Sequence, residues 1–70
     1  MRIVGITREP VELYKILKFE GLTASGAEAK WAIANGEVAV NGAVETQKRK
    51  KIVTGDTITF GGETLQVRMV

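Results

Sequence analysis

The chain carries four consecutive positive charges at residues 48–51, Lys-Arg-Lys-Lys, and this run is the most concentrated chemical feature of the sequence. Residues 1–47 hold five basic and six acidic side chains, and residues 52–70 hold one basic and two acidic side chains. A basic segment on a near-neutral body can attract an anionic partner. The charge run alone is equally consistent with a solvated loop that keeps the protein soluble.

Side chains that catalyse reactions or hold metal ions are scarce. The sequence has no cysteine and no histidine, which removes disulfides, thiolate chemistry and the usual structural zinc sites. The scattered acidic residues show no spacing typical of a carboxylate site, and general acid–base catalysis needs a tuned group in a cleft. The Gly-Gly pair at residues 61–62 does not match a phosphate-binding loop. We therefore predict a protein that is not an enzyme and uses no cofactor or metal.

Length and composition predict one domain spanning residues 1–70. A chain this short buries only about 60% of the surface that its unfolded form exposes. Its hydrophobic content of 44% is enough for a small core and is not typical of a disordered chain. The sequence has no apolar run long enough to cross a bilayer, and its first ten residues lack a secretory signal. We therefore expect a complete cytoplasmic protein that is a monomer.

The segment REPVELYKILKFEG predicts a first helix. Pro10 suits the first helical turn, where a missing backbone N–H has no cost. Leu13, Ile16 and Leu17 recur at helical spacing and are expected to face the core. Gly21 is placed to end this helix in the left-handed conformation.

A second helix is predicted from Ser25 to an Asn-Gly stop at residues 35–36. Ser25 and Glu28 match a capping box, in which the serine oxygen accepts from a free backbone N–H and the glutamate accepts from the N–H of the serine. The apolar stripe of this helix is narrow and rich in alanine, which permits close packing of the two helices. Its members are Ala29, Ala32 and Ile33.

The second half of the chain predicts strands joined by tight turns. Asn-Gly at residues 41–42 lies between apolar runs and favours a hairpin whose two central residues have positive φ. Gly-Asp at residues 55–56 and Gly-Gly at residues 61–62 mark two further turns. The fold class that follows is α+β, with two short helices packed on a small antiparallel β-sheet.

The order of these features resembles the RNA-binding domain of the ribosomal-protein S-four family, particularly its small stand-alone bacterial members of the YbcJ/YaaA type. The resemblance extends from about residue 11 to residue 58. It rests on Ser25 followed by Glu28-Ala29-Lys30, on Gly36-x-Val38-x-Val40-Asn41-Gly42, and on Lys51-Ile52 followed by Gly55-Asp56.

This resemblance implies an α-L RNA-binding motif that binds structured RNA of the ribosomal or transfer RNA class. It also implies that Lys30 faces the RNA. Many members of the family carry an attached enzyme that modifies or charges RNA, but this chain has no room for one, so only binding carries over. The predicted RNA-binding residues are Lys18, Ser25, Gly26, Lys30, Lys48, Arg49, Lys50 and Lys51.

Several residues have a structural interpretation beside the functional one. Ser25 is first a helix cap, and the open helix end beside Gly26 could in addition hold a phosphate. Lys15 is left out of the predicted site because Glu12 can pair with it. Trp31 could stack on a base, but packing in or beside the core is the favoured interpretation.

A different class of function also fits part of the sequence. The segments VNG and GDTITF resemble β-grasp proteins, including small sulfur carriers and protein-interaction modules. Sulfur carriers end in a free Gly-Gly, whereas eight residues follow residue 62 here, so carrier chemistry is not expected. A β-grasp-like adaptor that binds proteins remains the alternative prediction.

Overall fold

The computed structural model describes all 70 residues and contains two helices and seven strands. The helices are α1 (Leu13–Phe19) and α2 (Gly26–Ala34). The strands are β1 (Arg2–Ile6), β2 (Val11–Glu12), β3 (Val38–Val40), β4 (Ala43–Val44), β5 (Lys51–Ile52), β6 (Thr57–Phe60) and β7 (Glu63–Met69). Neither helix is long and apolar enough to cross a membrane.

The main sheet has five strands in the order β1-β7-β6-β3-β4, and β2 pairs with β5 in a separate two-stranded ribbon. The α+β class is confirmed. The sheet is mixed rather than purely antiparallel, because β1 pairs parallel to β7 in a register that sets Val4 opposite Val67. Local sequence patterns could not show this pairing, since it joins the two ends of the chain.

Helix α1 begins at Leu13, so the prediction that Pro10 lies in its first turn is wrong. Val11 is extended and pairs with Ile52, and Glu12 pairs with Lys51. Glu12 is the N-cap residue, but its side chain makes no capping hydrogen bond. Pairing of residues 11–12 with β5 thus replaces the first helical turn that the sequence favours.

The ends of both helices follow the predicted glycine and serine signals. Gly21 has φ of 73°, and the N–H of Leu22 donates to the carbonyl of Leu17 at 3.0 Å. Ser25 Oγ accepts from the N–H of Glu28 at 3.1 Å. The other half of the capping box differs, because the Glu28 carboxylate accepts from the N–H of Ala24 at 3.4 Å and not from that of Ser25.

Two tight turns are tied together at one end of the sheet. Asn41 and Gly42 both have positive φ, 53° and 84°, as the predicted hairpin turn requires. The Asn41 amide donates to Asp56 Oδ1 at 3.0 Å and accepts from the N–H of Thr57 at 2.9 Å. The Asn-Gly and Gly-Asp pairs therefore act together, since each turn holds the other in place.

The core lies between the two helices and the sheet. It comprises 14 buried residues: Val4, Ile6, Leu13, Ile16, Leu17, Ala29, Ala32, Ile33, Val38, Val40, Ile52, Ile58, Leu65 and Val67. The apolar residues predicted to face inward on both helices are all among them. Tyr14 and Phe60 are only partly buried at the edge of this core. Trp31 is 61% exposed, so its predicted packing in or beside the core is wrong.

Candidate nucleic-acid interface

Residues 48–50 of the basic run lie in the loop between β4 and β5, and Lys51 is the first residue of β5. The backbone of this loop is fixed to the start of α1. The N–H of Leu13 donates to the carbonyl of Lys50 at 2.9 Å, and the N–H of Tyr14 donates to the carbonyl of Lys48 at 3.2 Å. These bonds satisfy two of the N–H groups that the first turn of a helix leaves free. The loop carbonyls cap α1, so the backbone that carries the basic side chains is fixed beside that helix.

The ring of Tyr14 is the point at which cations from three parts of the chain converge. Lys30 Nζ lies 4.5 Å from the ring centroid, the Arg49 guanidinium carbon 5.7 Å and Lys15 Nζ 6.0 Å. Cations within about 6 Å of an aromatic centroid are attracted by the ring quadrupole. We call Tyr14, Lys15, Lys30 and Arg49 the tyrosine cluster.

The first turn of α2 lies against the same ring. A Cβ atom placed on Gly26 would be 3.7 Å from two ring carbons of Tyr14 and 3.8 Å from Cδ of Lys18. The N–H groups of Gly26 and Ala27 make no hydrogen bond within the protein. The end of α2 therefore presents free backbone donors next to the tyrosine cluster and Lys18.

Carboxylates neutralise only part of this positive charge. Glu12 lies 3.3 Å from Lys15 Nζ and 3.4 Å from Arg49 Nη1. The only other cation in a salt bridge is Arg2, which is bonded to Glu20 and Glu63. Five lysines consequently have no carboxylate within salt-bridge distance: Lys18, Lys30, Lys48, Lys50 and Lys51.

The pairing of Glu12 changes its own acidity. Partial desolvation acts to raise the pKa of Glu12, but hydrogen bonds and charges from Lys15 and Arg49 outweigh it and lower the pKa below its ordinary value of 4.5. Glu12 is thus ionised at neutral pH and holds Arg49 beside Tyr14. The pairing of Lys15 with Glu12 agrees with its exclusion from the predicted site, whereas the link to Arg49 is new.

The structure brings most of the predicted site residues to one side of the molecule. Gly26, Lys30 and Arg49 lie against Tyr14, while Lys48 holds the loop there through its carbonyl. Lys18 lies beside Gly26, with its Nζ 6.0 Å from the Phe19 ring. The remaining two basic positions do not lie over the ring. Lys50 is half-buried, and Lys51 lies in β5 opposite Glu12.

Ser25 caps the start of α2, which is the role that the sequence favours for it. Its hydroxyl oxygen accepts from Glu28 N–H, and its carbonyl accepts from Thr23 Oγ1 at 3.1 Å. The residue that sequence reasoning missed is Tyr14, which is not among the predicted RNA-binding residues. Its spacing of four residues from Lys18 placed both on one helix face, but its contacts with Lys30 and Arg49 depend on the tertiary fold.

Comparison with known proteins places the chain in a family. The S4 domain matches residues 4–68, which is nearly the whole chain, and the chain therefore belongs to the S4 domain family, the family called S-four above. The resemblance inferred from the sequence is confirmed.

Two curated relatives match over most of their length. The chain is 60% identical over 57 residues to "Putative RNA-binding protein YbcJ" of Escherichia coli (strain K12), covering 81% of each chain. It is 30% identical over 59 residues to "Probable ribosome maturation protein RlbA" of Bacillus subtilis (strain 168), covering 84% of this chain and 83% of the relative.

A solved structure shares the same architecture. The solution structure of YbcJ from E. coli, described as revealing an αL motif involved in RNA binding, superposes with a TM-score of 0.73 at 53% identity. The match covers 96% of this chain and 86% of that one. The α-L motif predicted from the sequence is thus the fold of this chain.

Proposed function

We propose that this protein binds structured RNA without catalysing a reaction, through a surface that we call the basic surface. The basic surface comprises Tyr14, Lys18, Gly26, Lys30 and residues 48–51. Its proposed ligand is RNA of the ribosomal or transfer RNA class, bound by a monomer in the cytoplasm, and its proposed role is in ribosome assembly or RNA metabolism. The names of the relatives YbcJ and RlbA support RNA binding and ribosome maturation, respectively.

The observation that carries the proposal is the convergence of cations on Tyr14 without matching carboxylates. Arg49 from the loop, Lys30 from α2 and Lys15 from α1 lie around one ring, and Glu12 is the only carboxylate paired with any member of the tyrosine cluster. Lysine and arginine bind phosphates through charge, and arginine can in addition make two parallel hydrogen bonds to one phosphate. Such an arrangement suits the backbone of a folded RNA.

The order of elements does not support the β-grasp alternative. Both helices precede the hairpin of β3 and β4, and the loop that follows this hairpin is attached to α1. The segments that resembled a β-grasp protein, VNG and GDTITF, form the two linked turns and the central strand β6 of the S4 domain. We therefore do not propose an adaptor function.

The decisive experiment is to remove the charge of the loop and measure the salt dependence of RNA binding. Each phosphate contact adds roughly 0.7 to 0.9 to the slope of log affinity against log salt. With about five contacts, three of them from residues 48–51, the slope of the wild type should be about −4. Replacing all four residues 48–51 with alanine should flatten it by about 2, while far-UV circular dichroism remains unchanged.

A matched pair of double variants separates local contacts from net charge. Lys48→Ala/Arg49→Ala and Arg8→Ala/Arg68→Ala each remove two exposed positive charges. Neither Arg8 nor Arg68 lies over the Tyr14 ring or has a salt-bridge partner. We expect the first variant to lose about 1.5 from the salt slope and the second to lose much less. Equal losses would show that net charge, and not the basic surface, controls binding.

The RNA itself can be found by ultraviolet crosslinking in cells followed by sequencing of the bound RNA. Enrichment of defined sites on ribosomal or transfer RNA would support the proposal. Recovery of partner proteins without any enriched RNA would contradict it. The quadruple loop variant serves as the control, since it should lose the same sites.

A further inference from the structure

Trp31 is the only tryptophan of the chain, and its side chain is 61% exposed on α2. The helix holds its backbone firmly, because the Trp31 carbonyl accepts from both the side-chain amide of Asn35 at 2.7 Å and the N–H of Asn35 at 3.0 Å. The core does not need this side chain, as the buried face of α2 consists of Ala29, Ala32 and Ile33. An indole that is exposed on a rigid helix is available to a ligand.

The position of Trp31 links it to the basic surface. Successive residues of an α-helix are about 100° apart around its axis, so Lys30, which lies against Tyr14, and Trp31 occupy neighbouring faces. The helical positions between these two faces are Ala27 and Ala34, both small and exposed. No large side chain of α2 therefore separates the indole from the cations.

Charge favours one direction for an RNA strand that crosses α2. Lys30 lies on the side of Trp31 that faces the tyrosine cluster, whereas Glu28 lies on the other side and is exposed. A phosphate is attracted to Lys30 and repelled by Glu28. A nucleotide whose phosphate lies near Lys30 can direct its base across the two alanines toward the indole.

We propose that Trp31 stacks on an unpaired base of the RNA that the basic surface holds by its phosphates. A base within a duplex is covered on both faces by its neighbours, so only an unpaired base at a bulge, loop or end can offer a face to an indole. The ligand class is therefore structured RNA with an exposed base beside the bound backbone. This inference rests on the proposed function and adds the kind of RNA site that is recognised.

The single tryptophan allows a direct test with the unaltered protein. Two probes are compared: a hairpin RNA with one bulged adenosine in its stem, and the same hairpin with that adenosine removed. We expect the bulged hairpin to quench Trp31 emission and to protect the indole from acrylamide, because stacking covers the ring. The fully paired hairpin should bind through phosphates but leave the emission and its acrylamide quenching nearly unchanged.

Substitutions measure the contribution of the stack. Trp31→Ala should weaken binding of the bulged hairpin by about 5- to 150-fold, the range for loss of one stacked base. Trp31→Phe retains an aromatic face and should recover most of that loss. The salt slope should be the same in all three proteins, because stacking displaces no counterions. Met69→Ala is the control, since Met69 is a large apolar residue that is 45% exposed on β7, away from the basic surface, and it should have no effect.

The outcomes separate this inference from the proposed function. If the wild type binds both hairpins with equal affinity and without a change in emission, the stacking proposal is overturned and the phosphate contacts remain. The same holds if Trp31→Ala binds as tightly as the wild type. If the wild type binds neither hairpin at physiological salt, both proposals fail.

Discussion

Arg2 and Arg49 are both paired with carboxylates, yet they lie in regions that use positive charge in opposite ways. Arg2 joins distant segments, with Nη2 3.1 Å from Glu20 Oε1 and Nη1 3.4 Å from Glu63 Oε1. Arg49 meets only Glu12, which it shares with Lys15. The side chain of Arg2 is 39% exposed and that of Arg49 is 65% exposed.

This difference separates a structural cation from one that is available to a ligand. The charge of Arg2 is balanced by two carboxylates that connect β1 with the end of α1 and the start of β7. Around Arg49 the cations outnumber the carboxylates, since Lys30 and Lys48 have no acidic partner. This comparison predicts that RNA binds around Arg49, where carboxylates are few, and not around Arg2.

The largest effect is expected at Tyr14, on which the cations of the basic surface converge. Tyr14→Ala removes a partly buried ring that packs against the core and should lower the free energy of unfolding by about 2 kcal/mol. Tyr14→Phe keeps the ring and should change stability much less. Urea unfolding of both variants measures this difference.

Leucine at the same position separates packing from the attraction of cations. Tyr14→Leu retains apolar bulk but has no aromatic face for Lys30 and Arg49, so it should fold and yet bind RNA less tightly than Tyr14→Phe. Each exposed cation–π contact is worth about 0.5–1 kcal/mol. Equal RNA affinity of the leucine and phenylalanine variants would show that the ring does not position these cations.

Much of the fold was predictable because its signals are local. The Ser25 cap, the Gly21 stop and the Asn-Gly turn at residues 41–42 each depend on backbone geometry within a few residues. The parallel pairing of β1 with β7 and the short ribbon of β2 with β5 join segments about 40 or more residues apart, and no local pattern encodes them. The second of these pairings displaced the predicted start of α1.

The candidate site also has one part that the sequence predicts and another that depends on the tertiary fold. Its charges at residues 48–51 could be read directly from the sequence. The place of Tyr14 among them could not, because Lys30 and Arg49 reach it only after α2 and the loop have packed against α1. Exposure of Trp31 was also missed, since a large aromatic residue is usually assigned to the core of a small domain.

The second prediction is that alanine substitutions at Arg49 and Arg2 have opposite effects on RNA affinity and on stability. Arg49→Ala should weaken RNA binding by about tenfold, equivalent to loss of about 1.4 kcal/mol from a charged contact, and should leave stability nearly unchanged. Arg2→Ala should show the reverse, with a lower midpoint of thermal unfolding and nearly unchanged affinity. Fluorescence anisotropy with labelled RNA and a thermal melt of each variant provide both values. The comparison between the two regions fails if Arg2→Ala reduces affinity as much as Arg49→Ala does.

A smaller effect is expected at Ser25, which lies at the border of the basic surface. Ser25→Ala removes the hydrogen bond to Glu28 N–H and should lower the free energy of unfolding by about 1 kcal/mol. Ser25→Asp keeps a capping oxygen but adds a negative charge beside the free N–H groups of Gly26 and Ala27. It should fold with near-normal stability and bind RNA less tightly. Normal affinity of this variant would remove the end of α2 from the proposed interface.

The smallest effect concerns Glu12, the carboxylate that ties the basic loop to α1. Glu12→Gln releases Arg49 from its ion pair and should raise RNA affinity by a few-fold at most, since an exposed pair has little net strength. Because the pKa of Glu12 is lowered in the folded protein, the ionised carboxylate stabilises the fold. That contribution is fully present above the ordinary value of 4.5 and is lost as the pH falls through the lowered pKa.

The difference in unfolding midpoint between the wild type and Glu12→Gln should therefore be constant near neutral pH and disappear in acid. Thermal melts between pH 7 and about pH 3 follow this loss, and an NMR titration of the Glu12 carboxyl carbon gives the pKa directly. The comparison can be repeated in a protein that carries Arg2→Ala, which leaves the Glu12 pairs intact. The effect of Glu12→Gln should have the same pH dependence there. If Glu12→Gln instead weakens RNA binding, Glu12 holds Arg49 in its binding position and does not compete with the phosphate for it.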